Sequence, residues 1–272
     1  MTYFNRRQDS WGILVAGTNS NLLKWANIMA LIFTVLVNGL AGSTTILGDK
    51  NTAQISDDNP TLITPAGYVF SIWGVIYILL GVFAIFQALP SEKGKNYQKR
   101  IGSLFVLSSL LNIAWLFLWQ FEYLGLSVVL MFLLLATLIM IYLRLNIGKS
   151  AASLREKLTV HTPFSVYLGW ITIASIANVA AALVSVNWDG FGVSPETWAT
   201  LIIVVALLIT MLVVATRKDV AYGLVIIWAL IGIAVKQSGN QNIVIIAETS
   251  AIIVAAALAA IILFARLKRQ SG

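Results

Sequence analysis

Cysteine is absent from the 272 residues, and charge is scarce: only 11% of positions are Asp, Glu, Lys or Arg. A soluble globular domain carries about 25%. Without thiols, disulfides, thiolate metal sites, iron–sulfur clusters and a cysteine nucleophile are excluded. A phosphate-binding glycine loop and an HExxH-type metal motif are missing too. The lone histidine, His161, stands beside Thr162 and Pro163, an expected N-cap and first-turn pair, and reads as an interfacial residue. Ionisable groups inside the apolar runs, which mark ion paths and proton relays, are nearly absent. Glu248 is the exception, and pairing with Lys236 or contact with interfacial water accounts for it. This scarcity argues against a proton-coupled pump.

What the chain does have is apolar length. It is 59% hydrophobic, and lipid is the natural solvent for such a composition. A helix crosses the hydrocarbon of a bilayer with about 20 apolar residues. Eight runs of that kind fall near residues 22–47, 66–89, 100–121, 123–146, 160–186, 196–216, 219–236 and 242–266. Each must satisfy its own backbone and is therefore predicted to be a helix; the alternation that barrel strands require is missing. The first run follows a polar lead and is too long for a signal-peptide core, so it reads as a retained helix. The expectation is an all-α integral membrane protein with eight transmembrane helices.

The net charge of +7 suggests nucleic acid only until the basic residues are placed on this scheme. Of the 18 Lys and Arg, all but Lys50 and Lys236 fall on one side of the eight predicted spans. The other side carries Asp49, Asp57, Asp58, Glu122, Asp189 and Glu196. The positive-inside rule then puts both termini in the cytoplasm, of a protein expected in the plasma (inner) membrane. No nucleic-acid partner is expected; the bilayer is.

Residues 1–21 form a cytoplasmic N-terminal segment, in which Trp11, Ile13, Leu14 and Val15 would suit a short interfacial helix capped by Ser10. The 48–64 loop is the longest connection, and loops of this length are functional or floppy. Spans three and four, and six and seven, are joined so briefly that each pair is predicted to be a tight hairpin. Near residue 190 the chain changes character: Trp, Tyr and Asn give way to Ile, Val, Leu and Ala. In the last span Ala251, Ala255 and Ala259 form an expected small-residue packing face. Leu138, Tyr142 and Arg144 fit a proposed cholesterol-contact pattern, for which a Tyr–Arg interfacial anchor is the simpler account.

The polar and aromatic residues within the spans fall on shared helix faces. Trp73 and Tyr77 are spaced i, i+4; Asn112, Trp115 and Trp119 are spaced i, i+3, i+7; Tyr167, Trp170, Ala174 and Asn178 are spaced i, i+3, i+7, i+11. Gly74 and Gly81 mark a nearby line without side chains, and Asn38 adds an amide from span one. Tyr68 and Trp119 also suit an interface belt. Four helices would thus bring indoles and amides to one depth beneath the 48–64 loop. A pocket for a flat apolar ligand needs aromatic walls with a few polar groups to orient it.

These residues carry a resemblance. PAGYVF (65–70) followed by WGVIYILLG (73–81), then LNIAW (111–115), then YLGW (167–170) with Ala174 and Asn178 at fixed offsets, resembles the tryptophan-rich sensory protein or translocator protein (TspO/MBR) family. Ala66 stands where the family has a second proline, and Tyr68 where it has a tryptophan. The resemblance covers residues 22–187 and implies a five-helix membrane domain. Residues 188–272 would then be a three-helix extension with a short basic cytoplasmic tail. The resemblance further implies a pocket inside the five helices, lidded by the first long loop, and frequent homodimers. It implies porphyrin or other tetrapyrrole ligands, and in some members sterols or drug-like compounds.

The leading expectation is therefore a membrane-embedded binding protein, sensor or translocator, for a flat hydrophobic molecule such as a porphyrin or haem-like compound, with no cofactor required. Its site would comprise Asn38, Tyr68, Phe70, Trp73, Tyr77, Asn112, Trp115, Trp119, Tyr167, Trp170, Ala174 and Asn178. A passive carrier of a small neutral solute or lipid-like metabolite is the alternative. An enzyme acting on a bound tetrapyrrole ranks last, since no acid–base pair or metal site supports one.

Overall fold

A computed structural model describes residues 20–43, 46–92 and 95–270. Among them the chain is all helix, turn and loop, with no strand. The expected interfacial helix around Trp11 lies outside the described residues. In chain order the helices are α1 (Ser20–Ser43), α2 (Thr52–Asp58), α3 (Ile72–Ala88), α4 (Asn96–Ile101), α5 (Leu104–Gln120) and α6 (Leu124–Leu145). They continue as α7 (Leu154–Glu156), α8 (Thr162–Ser185), α9 (Pro195–Arg217), α10 (Val220–Lys236) and α11 (Gln241–Gln270).

Among the described residues, six helical segments are long and apolar enough to cross a membrane, those built on α1, α3, α6, α8, α9 and α11. The apolar helices α5 and α10 have 17 residues each, about 26 Å at a rise of about 1.5 Å per residue. Several element boundaries differ from the sequence expectation. The helix expected to run to residue 47 does not reach it: Ile46 and Leu47 form a turn, beyond Gly39 and Gly42, which are poor helix formers. The helix expected from residue 66 opens as a 3₁₀ turn over Gly67–Ser71 and becomes α-helical only at Ile72. The run expected from residue 100 is broken at Gly102, whose φ of +54° ends α4 before α5 begins.

The start of the fifth span is corrected most. It was expected at Thr162–Pro163, yet the helical path begins at α7, where the Ser153 hydroxyl accepts from the Glu156 N–H at 3.2 Å. A π turn over Lys157–His161 then joins α7 to α8. Pro163 explains it: proline lacks the N–H that would bond to residue 159, and its ring crowds that carbonyl, so the turn widens. His161 thus lies inside the helical path instead of at its start; its side chain is buried, and its Nε2 has no hydrogen-bond partner.

The predicted hairpins are present. Glu122 and Lys218, both at positive φ, turn α5 into α6 and α9 into α10. α1, α5, α6, α8 and α3 pack successively into a closed ring, with α3 returning to α1. The remaining helices stack outward from it: α10 on α8, α11 on α10 and α9 on α11. The ring is plugged towards its basic end by Phe83, Phe105 and Phe164, with Phe83 lying 5.3 Å and 5.1 Å from the other two rings.

Asp219 welds the outer helices to the ring. It caps α10 by accepting the Tyr222 N–H at 3.1 Å, and also accepts the hydroxyls of Tyr142 at 2.9 Å and Ser165 at 2.6 Å. Tyr142 is therefore buried between helices, and the interfacial-anchor reading fails because its hydroxyl finds a buried carboxylate instead of water. In α11 the buried face is Ile243, Ala247, Ala251, Val254 and Leu258, whereas Ala255 and Ala259 are exposed. A spacing of four residues advances about 40° beyond a full turn, so a three-alanine row drifts off the contact face. Gly74 and Gly81 face open space. Close approaches occur instead at Gly148 against Arg217, Gly169 against Tyr222, Gly223 against Leu258 and Gly232 against Val69.

Candidate functional site: an aromatic cluster under a capped lid

Trp73 lies at the centre. Its ring stacks on Tyr77 at 5.7 Å and on Trp115 at 5.8 Å, and meets Tyr167 and Trp170 edge-on, each at 6.1 Å. Trp115 stacks in turn on Trp119 at 5.8 Å, and Phe70 stands edge-on to Trp170 at 5.9 Å. Three ring helices thus contribute to one continuous set of aromatic contacts. Such offset and edge geometries are favourable beyond simple burial.

The amides divide into two groups. Asn178 Oδ1 accepts from Trp115 Nε1 at 2.8 Å, and its Nδ2 donates to Ser127 Oγ at 2.8 Å. Asn38 donates to Asn112 Oδ1 at 2.8 Å, tying α1 to α5. The Tyr77 and Tyr167 side chains both approach Asn112. Even so, Asn112 Nδ2, the Tyr77 hydroxyl and Trp170 Nε1 are buried with no hydrogen-bond partner. A buried donor left unpaired costs about 1–3 kcal/mol.

Beside this cluster lies a void of about 30 Å³, lined by Phe70, Trp73, Trp115, Trp119 and Trp170, by Ile173, Ala174, Ala177 and Asn178, and by Thr52, Ser56 and Pro65. Ala174 and Ala177 give it a small-residue side on α8. The void would hold about one water; the aromatic rings occupy the rest.

The 48–64 segment is an ordered lid rather than an open loop. Asn51 caps α2 by accepting the N–H groups of Ala53 and Gln54 at 3.0 Å each, and Gln54 Oε1 returns the bond to the Asn51 N–H at 2.7 Å. That reciprocal arrangement is a capping box. The lid is fastened to the ring by Trp119 Nε1 donating to the Thr52 carbonyl at 3.2 Å, and by Gln120 Nε2 donating to the Lys50 carbonyl at 2.8 Å. Lys50 bridges Asp58 at 2.8 Å and Glu122 at 2.9 Å. Hydrogen bonds to Asp58 and Glu122 raise the ammonium's affinity for its proton above the ordinary lysine value.

Of the predicted site residues, Phe70, Trp73, Trp115, Trp119, Trp170, Ala174 and Asn178 line the void. Tyr77, Asn112 and Tyr167 join the cluster behind Trp73, and Asn38 reaches it through Asn112. Tyr68 stands apart: it is 45% exposed, and its ring meets Trp228 of α10 edge-on at 5.3 Å. The sequence reading missed Thr52, Ser56 and Pro65 from the lid, Ile173 and Ala177 from α8, and Ser127 from α6. Their apolar or small side chains carry no signal by themselves, although the Asn51-x-x-Gln54 cap could have been read. Lys236 pairs with Asp57 at 2.8 Å, so the expected pairing with Glu248 does not form; Glu248 is exposed on α11.

No curated protein and no solved structure matches the chain. A family profile described as TSPO-like protein matches residues 24–265, so that it runs through the last three long helices as well as the first five. Together with the apolar helices, this makes the chain a multi-pass membrane protein that belongs to the TSPO-like protein family.

Proposed function

We propose that this protein is a membrane-embedded binding protein, a sensor or translocator, for a flat apolar molecule of the tetrapyrrole class. The ligand sits where the aromatic cluster meets the lid. The observation that carries this reading is the set of orphan donors within the cluster: Trp170 Nε1, Asn112 Nδ2 and the Tyr77 hydroxyl. A porphyrin offers π faces to the indoles and peripheral carboxylates as acceptors for those donors.

The void of about 30 Å³ is far below the ligand-pocket range of about 300–1,000 Å³. The conformation described is the closed one. Binding requires the lid to lift and Trp73, which lines the void and stacks on Tyr77, to swing aside. Ala174 leaves the room a larger residue would fill.

Purified protein titrated with protoporphyrin should show saturable quenching of Trp fluorescence, and Ala174→Phe should weaken the apparent affinity about tenfold or more, about 1.4 kcal/mol. Equal affinity in the variant would remove the pocket assignment. The same preparation in liposomes separates the carrier alternative, since binding without porphyrin flux leaves a binding protein.

We further propose that all eight long helices traverse the plasma membrane with both termini in the cytoplasm. The support is the segregation of polar contacts. Lys50 with Asp58 and Glu122, and Lys236 with Asp57, lie at one end of the bundle. Lys24 on the Ala88 carbonyl, Arg155 over Phe86 and Arg217 on Asn146 lie at the other.

A further inference from the structure

The lid is held from two directions, and only one of them belongs to the five-helix ring. Its front half, residues 47–52, is tied to α5 by Trp119, Gln120 and Glu122. Its back half, residues 57–64, and the 65–71 stretch that carries it into α3 are tied to α10 and the turn after it. The Ala66 N–H donates to the Gly232 carbonyl at 3.0 Å, and Trp228 Nε1 donates to the Val69 carbonyl at 3.2 Å. Gln237 Nε2 donates to the Thr61 carbonyl at 3.0 Å, and Lys236 pairs with Asp57 at 2.8 Å. Tyr68 lies against Trp228. At Gly232 the packing leaves no space for a side chain: a Cβ there would overlap Val69 and crowd Pro65. Pro65 also lines the void.

We infer that the outer three helices act as a latch, with Trp228, Gly232, Lys236 and Gln237 as residues that position the lid over the aromatic site and set how often it opens. The inference rests on the proposed binding site for its consequence, but not for its mechanics. Lid opening is a local unfolding of α2 and the Thr61–Val69 turns away from the ring. Its frequency follows the strength of the contacts that must break. The front contacts involve the ring alone. The back contacts couple opening to the position of α10, which is itself set by α8 through Asp219 and by α11 through the Gly223–Leu258 contact. A displacement of α10 relative to α8 therefore releases the back of the lid without disturbing the aromatic cluster.

The test needs no ligand. The chain lacks cysteine, so Ser56→Cys puts one thiol on the buried inner face of the lid, where Ser56 is 6% exposed. Its rate of modification by N-ethylmaleimide, referred to an exposed Ser185→Cys control, reports lid opening in the full-length protein. Trp228→Phe, which removes one hydrogen bond, should raise the rate about fivefold. Lys236→Asp should raise it about two- to fivefold, within the range for an exposed ion pair. Asp57→Lys combined with Lys236→Asp should restore it to within about a factor of two, which a loss of packing would not do. Unchanged rates in both Trp228→Phe and Lys236→Asp overturn the latch. Because the surface charge reversal leaves the helix packing intact, misfolding of Trp228→Phe would not remove the test. Porphyrin titration of the same variants keeps the two proposals separable: a latch phenotype with no porphyrin binding overturns only the ligand, and porphyrin binding with unchanged labelling overturns only the latch.

Discussion

Asn178 shows how a single amide can organise an aromatic site in an apolar medium. It accepts the Trp115 indole N–H and donates to Ser127, so three helices are pinned at one level. Replacing it with Leu leaves Trp115 Nε1 without an acceptor. The expected coupling between Asn178→Leu and Trp115→Phe is about 1 kcal/mol, between the membrane average of about 0.6 and the buried-donor penalty of about 1–3. A double-mutant cycle of unfolding in detergent measures it; strictly additive losses would show that the bond contributes nothing. Both of these residues were visible in the sequence, because Trp and Asn inside apolar runs stand out and their spacing puts them on one face. Ser127 was not visible, because a serine is equally at home packed against its own helix backbone. The orphan donors were legible only as residue types: periodicity shows that Asn112 and Trp170 face inward, but not that nothing inside accepts from them.

At the scale of elements, the lid is the part whose order the sequence understated. Asn51-Thr-Ala-Gln54 has the pattern of a capping box, but α2 spans only Thr52–Asp58, and a helix of that length is not stable alone. Its order comes from Ile55, fully buried, and from the fastenings at both ends. Asn51→Ala removes the acceptor for two N–H groups and should cost about 1 kcal/mol. The thiol at Ser56→Cys should then react about fivefold faster, with the fold of the ring unchanged by circular dichroism. If the reaction rate does not change, the lid opens as a rigid flap about its ends, without any unwinding of α2. The π turn before α8 is the converse case. Pro163 was read as a helix start because proline is favoured in a first turn. Ser153 already provides an N-cap upstream, so the chain widens the helix around the proline instead of beginning there.

For the whole molecule, the question is whether the two 17-residue helices cross the bilayer. At about 26 Å, α5 and α10 fall short of a hydrocarbon core of about 30 Å, a mismatch that thinning or snorkelling side chains can absorb. Both have polar ends suited to that. α10 starts at the Asp219 cap and ends at Lys236, whose long side chain reaches the Asp57 carboxylate. α5 starts after the basic α4 and ends at Gln120 beside the Lys50–Glu122 pair. Hydropathy located these runs, whereas the break at Gly102 that shortens α5 depends on a backbone conformation that no periodicity reports. Two pairs of single cysteines decide the matter. Ser91 and Tyr123 flank α5, and Thr216 and Ser238 flank α10, all four exposed. With a membrane-impermeant maleimide, Tyr123→Cys and Ser238→Cys should label in intact cells. Ser91→Cys and Thr216→Cys should label only after permeabilisation. If both members of either pair label from the same side, that helix does not cross. For α10, labelling of both cysteines only after permeabilisation would also overturn the latch, since Lys236 would then lie on the face opposite the lid and could not meet Asp57.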